Sequence, residues 1–276
     1  MTGGRNRLLA ALGLVPGVSL ATLLTLFILV PIAAVFLWAF AEAWRYPSLL
    51  PTRWGLRYWE VMLARADVWT ALSTSIALSL TVTLLSAIIC LPAAYAFARM
   101  EFPGRSALLL SFLATQAFPK FGLYIAIATI FFSFGLVGTF AGVVLIQLVN
   151  TLLLMIWIPV GAFQGVDRRL EEAARDVGAS PLRTFFSITL PQAGPAIAAA
   201  LLLTFVGTFY ETEGAFLIGA PHVRTMPVLM ISLINNQLVV QYGAVLSVML
   251  WVPSFLALLF ARKILSARTI AGGLGA

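Results

Sequence analysis

The chain has 276 residues, of which 61% are hydrophobic and only 10% are charged, and its mean hydropathy is +1.02. Because soluble globular proteins carry about 25% charged residues, this composition excludes an ordinary soluble domain and indicates a protein that resides in a bilayer. The formal charge of +7 comes from 17 basic residues scattered between apolar runs. Since they are not gathered on one soluble face, a nucleic-acid-binding protein is excluded as well.

Six windows of mainly apolar residues are long enough to cross a membrane, since one crossing takes about 20 residues. In chain order they cover residues 18–41, 70–97, 107–131, 139–162, 194–218 and 241–261. We therefore expect an all-α membrane protein with six transmembrane helices, forming a single domain over residues 1–276. The first window is too long for the apolar core of a cleavable signal peptide.

Six crossings place both termini on one side of the membrane. If that side is the cytoplasm, the inner segments hold eleven of the 17 basic residues, in agreement with the positive-inside rule. These are Arg5, Arg7, Arg99, Arg105, Arg168, Arg169, Arg175, Arg183, Arg262, Lys263 and Arg268. The outer loop over residues 42–69 includes Trp44, Tyr46 and Trp69, which favour the headgroup level. A carbohydrate-stacking platform is the alternative interpretation of these aromatic residues.

Two prolines fall inside predicted spans. Pro119 in the third window and Pro159 in the fourth each remove a backbone donor, so we expect a kink at both positions. Lys120 is then placed near the middle of the third span. An ionisable residue at that depth indicates either a solute pathway or an ion pair between helices.

Two carboxylates lie toward the outer half of the fifth window. Glu211 and Glu213 point about 200° apart on a regular helix, so both face one cavity only where the helix is broken. Flanking glycines at positions 207 and 214 permit such unwinding. The predicted substrate pathway consists of Lys120, Tyr210, Glu211 and Glu213. The alternative is that Lys120 pairs with one of these carboxylates and only holds two helices together.

The polar interval over residues 167–191 predicts two short helices around a glycine hinge. Asp167 is suited to the N-cap of the first helix, and Gly178 stands where a left-handed C-terminal cap is expected. Ser180 followed by Pro181 is a strong start signal for the second helix. A short rigid element of this kind, with small residues on its surface, is suited to binding a soluble partner. An amphipathic hairpin at the membrane surface without a partner is the alternative.

The same interval carries a spaced motif. Glu172, Ala173 and Ala174 are followed after three residues by Gly178, then after nine residues by Ile188, and then by Leu190 and Pro191. This spacing resembles the cytoplasmic signature of inner-membrane permeases of binding-protein-dependent ABC importers. The resemblance implies a coupling helix between the fourth and fifth spans that docks into a groove on an ATPase. Its candidate coupling residues are Glu172, Ala173, Ala174, Arg175, Asp176 and Gly178.

The resemblance also implies the partners and the location. They are an ABC ATPase dimer that holds ATP and Mg, a second homologous permease chain, and a periplasmic or lipid-anchored solute-binding protein. A homodimer of this chain is the alternative to the second permease. The membrane is a bacterial-type inner membrane, with both termini cytoplasmic.

No bound cofactor is expected in this chain. Its two lysines, Lys120 and Lys263, do not complete a phosphate-binding loop ending in Gly-Lys-Ser/Thr, so ATP hydrolysis is expected on a partner. One histidine, His222, and one cysteine, Cys90, are too few for a metal site built from such ligands. We therefore expect a transport subunit and not an enzyme.

The cargo stays open between two branches of the family. The stretch over residues 209–230 and its carboxylates resemble polyamine-type permeases, which favours an organic cation. Residues 117–119 and 135–139 equally resemble the second permease of sugar importers, which favours a sugar or polyol. A secondary transporter driven by an ion gradient, with Lys120, Glu211 and Glu213 as its relay, is the rival from another class, but it leaves the coupling signature unexplained.

Overall fold

A computed structural model describes residues 3–45 and 47–273, with side chains over residues 19–45 and 47–262. Tyr46 lies outside the described residues, as do the side chains of Arg5, Arg7, Lys263 and Arg268. The helices are α1 (Gly3–Ala39), α2 (Arg57–Leu63), α3 (Ala66–Arg99), α4 (Arg105–Ala114), α5 (Lys120–Ser133), α6 (Phe140–Gln164), α7 (Arg168–Asp176), α8 (Pro181–Thr184), α9 (Leu190–Phe209), α10 (Glu213–Gly219), α11 (Met226–Gln237) and α12 (Val240–Gly273). A π-helical turn, Phe185–Thr189, lies between α8 and α9.

The described residues include five helices that are long and apolar enough to cross a membrane. They are Ser19–Ala39, Ala66–Arg99, Phe140–Gln164, Pro181–Phe209 and Val240–Arg262. These helices correspond to the first, second, fourth, fifth and sixth predicted windows. The mainly helical membrane fold is therefore confirmed. The third predicted window, however, does not form one continuous helix.

The third window differs from the prediction, because it holds two helices and not one kinked helix. Helix α4 ends at Ala114, and α5 begins at Lys120 with Pro119 as its N-cap residue. Pro119 lacks a backbone donor and disfavours helical geometry in the residue before it, so the chain turns here. Lys120 accordingly lies at the start of a helix and not inside a continuous one. In the fourth window, by contrast, α6 continues through Pro159.

The fifth window is also interrupted. Helix α9 ends at Phe209, and α10 starts at Glu213, so Tyr210, Glu211 and Thr212 form a break between them. The predicted local unwinding is therefore present. Its position lies between the two glycines at 207 and 214, which are themselves inside helices.

The described residues group into two compact units, and the one-domain expectation stays a prediction. The first unit takes its residues from Met1–Arg65 and Leu233–Met249. It contains a small antiparallel hairpin of β1 (Ala41–Ala43) and β2 (Arg53–Trp54), which the all-α prediction missed. Aromatic rings pack together in this unit: Trp38 lies tilted against Trp44 at 4.6 Å between centroids, and Phe40 stacks on Trp59 at 5.5 Å.

The second unit comprises Ala66–Ser232 with Leu250–Ala276 and holds the candidate site. Its core lies where α3, α6 and α9 pack together. One apolar cluster, which includes Met155, Phe163 and Ala200, fills the space beside the C-terminal end of α3. A second cluster, which includes Tyr124 and Ile146, joins α3, α5, α6 and α10. Small polar side chains take part as well, since Ser86 and Thr151 share a buried hydrogen bond of 2.6 Å.

Candidate functional site

The segment over residues 167–191 begins with the helix that the sequence predicts. Asp167 is the N-cap of α7, and its carboxylate accepts a hydrogen bond from the Arg169 backbone N–H at 2.9 Å. Nine residues would be marginal as an isolated helix in water, so α7 depends on its caps and on its packing against the rest of the chain.

The end of α7 is a Schellman motif. The Ala179 N–H donates to the Ala174 carbonyl and the Gly178 N–H donates to the Arg175 carbonyl, both at 2.9 Å. Gly178 has a φ of +87°, which an L-residue adopts only with strain. The predicted left-handed glycine cap is therefore confirmed.

The second half of the segment is the beginning of a long helix and not a separate short one. Ser180 caps α8 by accepting from the Arg183 N–H at 3.3 Å, with Pro181 in the first turn, as predicted. Helical structure then continues without interruption through the π-helical turn into α9. The hinge glycine therefore connects α7 directly to the start of a membrane span.

Most of α7 is accessible. The side chains of Glu172, Ala173, Arg175 and Asp176 are exposed, and Ala174 is half-buried. Apolar side chains next to the helix are exposed too: Val177 is 86% exposed, Leu182 72% and Phe186 62%. Exposed apolar groups rimmed by charges are typical of a protein-binding surface. We call residues 172–178 with Leu182 and Phe186 the coupling surface.

One residue of α7 points the other way. Glu171 is buried at 6% exposure, and its Oε1 accepts a hydrogen bond from Arg99 Nη2 at 2.8 Å and one from the Thr189 hydroxyl at 2.6 Å. Arg99 Nη2 also donates to the Val166 carbonyl at 3.0 Å. We call these four groups the anchor. The anchor joins four parts of the chain: the last residue of α3, the short connection between α6 and α7, helix α7 itself and the π-helical turn.

Three of the four predicted pathway residues, Tyr210, Glu211 and Glu213, lie at the break between α9 and α10. Glu211 Oε1 accepts from the Gly214 N–H at 2.6 Å, and its Oε2 accepts from the Ala215 N–H at 3.0 Å and from Gln147 Nε2 at 3.1 Å. Glu211 thus satisfies the first free amides of α10. Glu213 is exposed.

Tyr210 and Lys120 have different surroundings. The Tyr210 hydroxyl donates to the Leu250 carbonyl at 3.3 Å, which ties the break to α12. Lys120 is exposed and, among the described residues, forms no ion pair with Glu211 or Glu213. The alternative interpretation, an ion pair between this lysine and one of the two carboxylates, is therefore not found among the described residues.

Buried polar groups collect beside Glu211. The Tyr124 hydroxyl and Gln147 Oε1 are buried without a hydrogen-bond partner in the described part of the chain. Tyr124 also borders a small cavity whose other lining residues include Gln116, Lys120 and Asn150. The cavity is about the size of one water molecule, so in this conformation it offers hydrogen-bonding groups but no room for a solute.

Sequence reasoning missed the members of the anchor and the buried amide. The motif identifies Glu172 but gives no role to Glu171, and the partner Arg99 is 72 residues away in sequence. Gln147 is inside an apolar window, where an amide at a helix interface could have been recognised as a candidate for interhelical hydrogen bonding.

The comparisons with known proteins agree with this architecture. The sequence profile of the family described as "Binding-protein-dependent transport system inner membrane component" matches residues 90–269. The trehalose/maltose transport system permease protein MalG of Thermococcus litoralis is 33% identical over 202 residues, which are 72% of this chain and 73% of that protein. The molybdate/tungstate transport system permease protein WtpB of Thermococcus kodakarensis is 31% identical over 218 residues, which are 79% of this chain and 82% of that protein.

A solved structure has the same fold. It is a chain of a bacterial alginate ABC transporter in complex with an alginate pentasaccharide-bound periplasmic protein. The TM-score is 0.68 at 16% identity, covering 95% of this chain and 96% of that chain.

A bundle of membrane helices with a short, capped and exposed helix between two spans is the fold that this chain shares with that transporter chain. Because the profile covers more than half of the chain, the chain belongs to the family of binding-protein-dependent transport system inner membrane components. The resemblance to ABC importer permeases that the motif predicted is thereby confirmed, and so is the inner membrane as its location.

Proposed function

We propose that this chain forms one half of a solute pathway and that α7 docks on a separate ABC ATPase. The observation that carries the proposal is the division of α7 into two sides: Glu172 and its neighbours are exposed, whereas Glu171 is fixed inside. A docking helix needs this arrangement, since it must be free toward its partner and rigid toward the spans. ATP and Mg are then held by the partner, and the closing ATPase dimer moves α7.

The remaining partners follow from the same function. A second, homologous permease completes the pathway, and a solute-binding protein delivers cargo from the outer side. The solved alginate transporter supports the last point, since it was crystallised with a periplasmic binding protein.

For the topology, we propose that α4 and α5 together make the third crossing. Residues 105–133 are numerous enough to span the hydrocarbon region, provided that the turn between the helices has its polar groups satisfied. Local hydrogen bonds satisfy polar groups of this turn: the Thr115 hydroxyl donates to the Phe112 carbonyl at 2.7 Å, and the Gln116 N–H donates to the Leu113 carbonyl at 3.0 Å. Six crossings then leave both termini in the cytoplasm.

For the cargo, we propose a carbohydrate. The relative from Thermococcus litoralis is named for trehalose and maltose, and the polyamine reading of the sequence gains no support from the relatives compared above. Sugar hydroxyls both donate and accept hydrogen bonds, as do the side chains of Gln116, Asn150 and Tyr124, which would contact a sugar only after their small cavity opens. The relative named for molybdate and tungstate makes an oxyanion the second candidate, but the carboxylates of Glu211 and Glu213 would repel it.

Docking is tested by Glu172→Lys, which reverses the charge of the coupling surface. We expect the ATPase to be lost when the transporter is purified from membranes through a tag on this chain. The matched control is Glu101→Lys, which places the same charge at another exposed glutamate outside α7 and should retain the ATPase. Retention of the ATPase by both variants would exclude α7 as the docking helix.

Cargo is tested on a candidate solute-binding protein, chosen from the genes next to the gene of this permease. Its thermal unfolding midpoint is measured with maltose, trehalose, spermidine and molybdate in turn. Stabilisation by a sugar supports the proposal, whereas stabilisation by spermidine or molybdate contradicts it. If Lys120, Tyr210, Glu211 and Glu213 line the pathway, Glu213→Gln should then change the KM for uptake of the stabilising solute.

A further inference from the structure

The anchor does more than stabilise the fold, because of where its members lie. Arg99 is the last residue of α3, and Thr189 is the last residue of the π-helical turn that leads into α9. Both hydrogen-bond the same oxygen, Glu171 Oε1. A single carboxylate oxygen of α7 therefore contacts the ends of two membrane spans.

Glu171 is also the only buried side chain of α7 in the described structure. Apart from its packing on α8 and the π-helical turn, α7 connects to the rest of the chain through residues 165–167 and 178–180. These connections contain two glycines, Gly165 and Gly178, which offer little stiffness. The ion pair with Arg99 is the feature that fixes α7 relative to α3.

The surroundings make this contact strong. The side chains of Arg99 and Glu171 are only 9% and 8% exposed, so water screens their attraction weakly. The anchor borders the apolar cluster that contains Phe97, Phe163 and Val166. Separating the charges would leave one of them unpaired in a low-dielectric environment, so the pair strongly resists being pulled apart.

We propose that Glu171 is the positioning residue that makes α7, the end of α3 and the start of α9 move as one body. The proposal rests on the proposed docking of α7 on an ATPase and assigns the transmission of its movement to a residue outside the coupling surface. A displacement of α7 by the ATPase then reaches both spans through hydrogen bonds of 2.6 and 2.8 Å.

The test measures the distance between α7 and α3 in the assembled transporter. Nitroxide labels are placed at Leu170→Cys and Leu84→Cys, both exposed positions outside the coupling surface, in a Cys90→Ala background that removes the native cysteine. Leu84 lies about 22 Å along α3 from Arg99, which keeps the labels well separated. Pulsed electron resonance is recorded without nucleotide and with ATP and vanadate.

In the unmodified anchor, the distance distribution should be narrow and have the same mean in both states. Glu171→Gln removes the charge but keeps the shape, and we expect the width of the distribution to at least double while the ATPase still co-purifies. The matched control Arg168→Gln, at an exposed residue of α7 outside the coupling surface, should leave the distribution unchanged. Thr189→Val keeps the ion pair and removes one hydrogen bond, so it should broaden the distribution less.

Several results would overturn the proposal. One is a mean distance that shifts with nucleotide when the anchor is intact, because α7 would then move independently of α3. Another is a distribution in Glu171→Gln as narrow as in the unmodified chain. Loss of the ATPase in Glu171→Gln would assign the residue to shaping the docking surface only. If Glu171→Gln does not fold, an unbroadened distribution in Thr189→Val decides against the proposal.

Failure of docking itself would show in a different measurement. It is read from co-purification of the ATPase with Glu172→Lys, without any spin label. Transmission is read from the label distances in Glu171→Gln, whose coupling surface is intact.

Discussion

Two regions of the second unit each contain a close pair of glutamates, and in both regions one carboxylate is turned inward and the other is exposed. In α7 these are Glu171 and Glu172, and at the break between α9 and α10 they are Glu211 and Glu213. The inward members differ in what binds them. Glu171 meets the guanidinium of Arg99, whereas Glu211 meets only the neutral N–H groups of two amides and of Gln147.

The difference teaches how a carboxylate is accommodated in an apolar helix bundle. A counter-charge fixes its position strongly and joins distant elements, as at the end of α3. Backbone donors at a helix start satisfy it locally and hold a break in the helix open. We therefore expect the first region to resist perturbation as a unit and the second to respond mainly in local structure.

The largest expected effect comes from removing the counter-charge. Arg99→Met leaves the Glu171 carboxylate buried without a cation, which should lower the free energy of unfolding by about 3–5 kcal/mol. The thermal unfolding midpoint of the purified permease reports this loss. Arg53→Met is the control, since Arg53 pairs with Glu42 while its own side chain is 70% exposed, and it should cost about 0–1 kcal/mol. Equal losses of unfolding free energy in Arg99→Met and Arg53→Met would contradict the prediction that the buried ion pair matters more for stability than the exposed one.

A smaller loss is expected at the helix break. Glu211→Ala removes the acceptor of the Gly214 and Ala215 N–H groups and of Gln147, which should cost about 1–3 kcal/mol. Glu213→Ala changes an exposed side chain and should stay within about 0.5 kcal/mol. Chemical denaturation of both variants measures the difference. If Glu213→Ala proved the more costly, the capping role of Glu211 would be wrong.

The third prediction separates backbone strain from docking. Gly178 and Gly104 have φ values of +87° and +82°, and a Cβ at either position would meet no atom within 4 Å. Gly178→Ala and Gly104→Ala should therefore each cost about 1–2 kcal/mol. Only Gly178→Ala should also weaken ATPase co-purification, because only Gly178 lies on the coupling surface. Equal ATPase retention in both variants would contradict the role of Gly178 in docking.

The smallest expected effect is at the N-cap of α7. Asp167→Ala removes the acceptor of the Arg169 N–H and should cost about 1 kcal/mol. We expect faster amide hydrogen exchange in the first turn of α7 and unchanged exchange in α3. Spread of the faster exchange into α3 would mean that the cap, and not Glu171, holds α7 to the bundle.

Local features of the fold were accessible from the sequence. Apolar windows gave five of the spans, because burying a long apolar helix in lipid depends on composition alone. The caps at Asp167, Gly178 and Ser180 were predicted correctly, since each depends on hydrogen bonds within a few residues. The family followed from a motif whose spacing is likewise local.

Features that depend on distant residues were not accessible. The sequence predicted one continuous helix around Lys120, but the chain turns just before this residue. The sequence also left open a pairing of Lys120 with Glu211, whereas in the structure Gln147 donates to the Glu211 carboxylate. Nor could spacing decide which of two adjacent glutamates faces inward.

The sequence by itself therefore determined that this protein is a helical membrane permease with a short capped helix at residues 168–176, because hydropathy, caps and motif spacing are properties of short segments. The tertiary structure decided that Glu171 and not Glu172 is anchored, and that Gln147 of α6 donates to Glu211. These outcomes depend on which donors the packing of α3, α6 and α9 brings within about 3 Å of each carboxylate, and hydrogen bonds of that length form only once the helices have assembled.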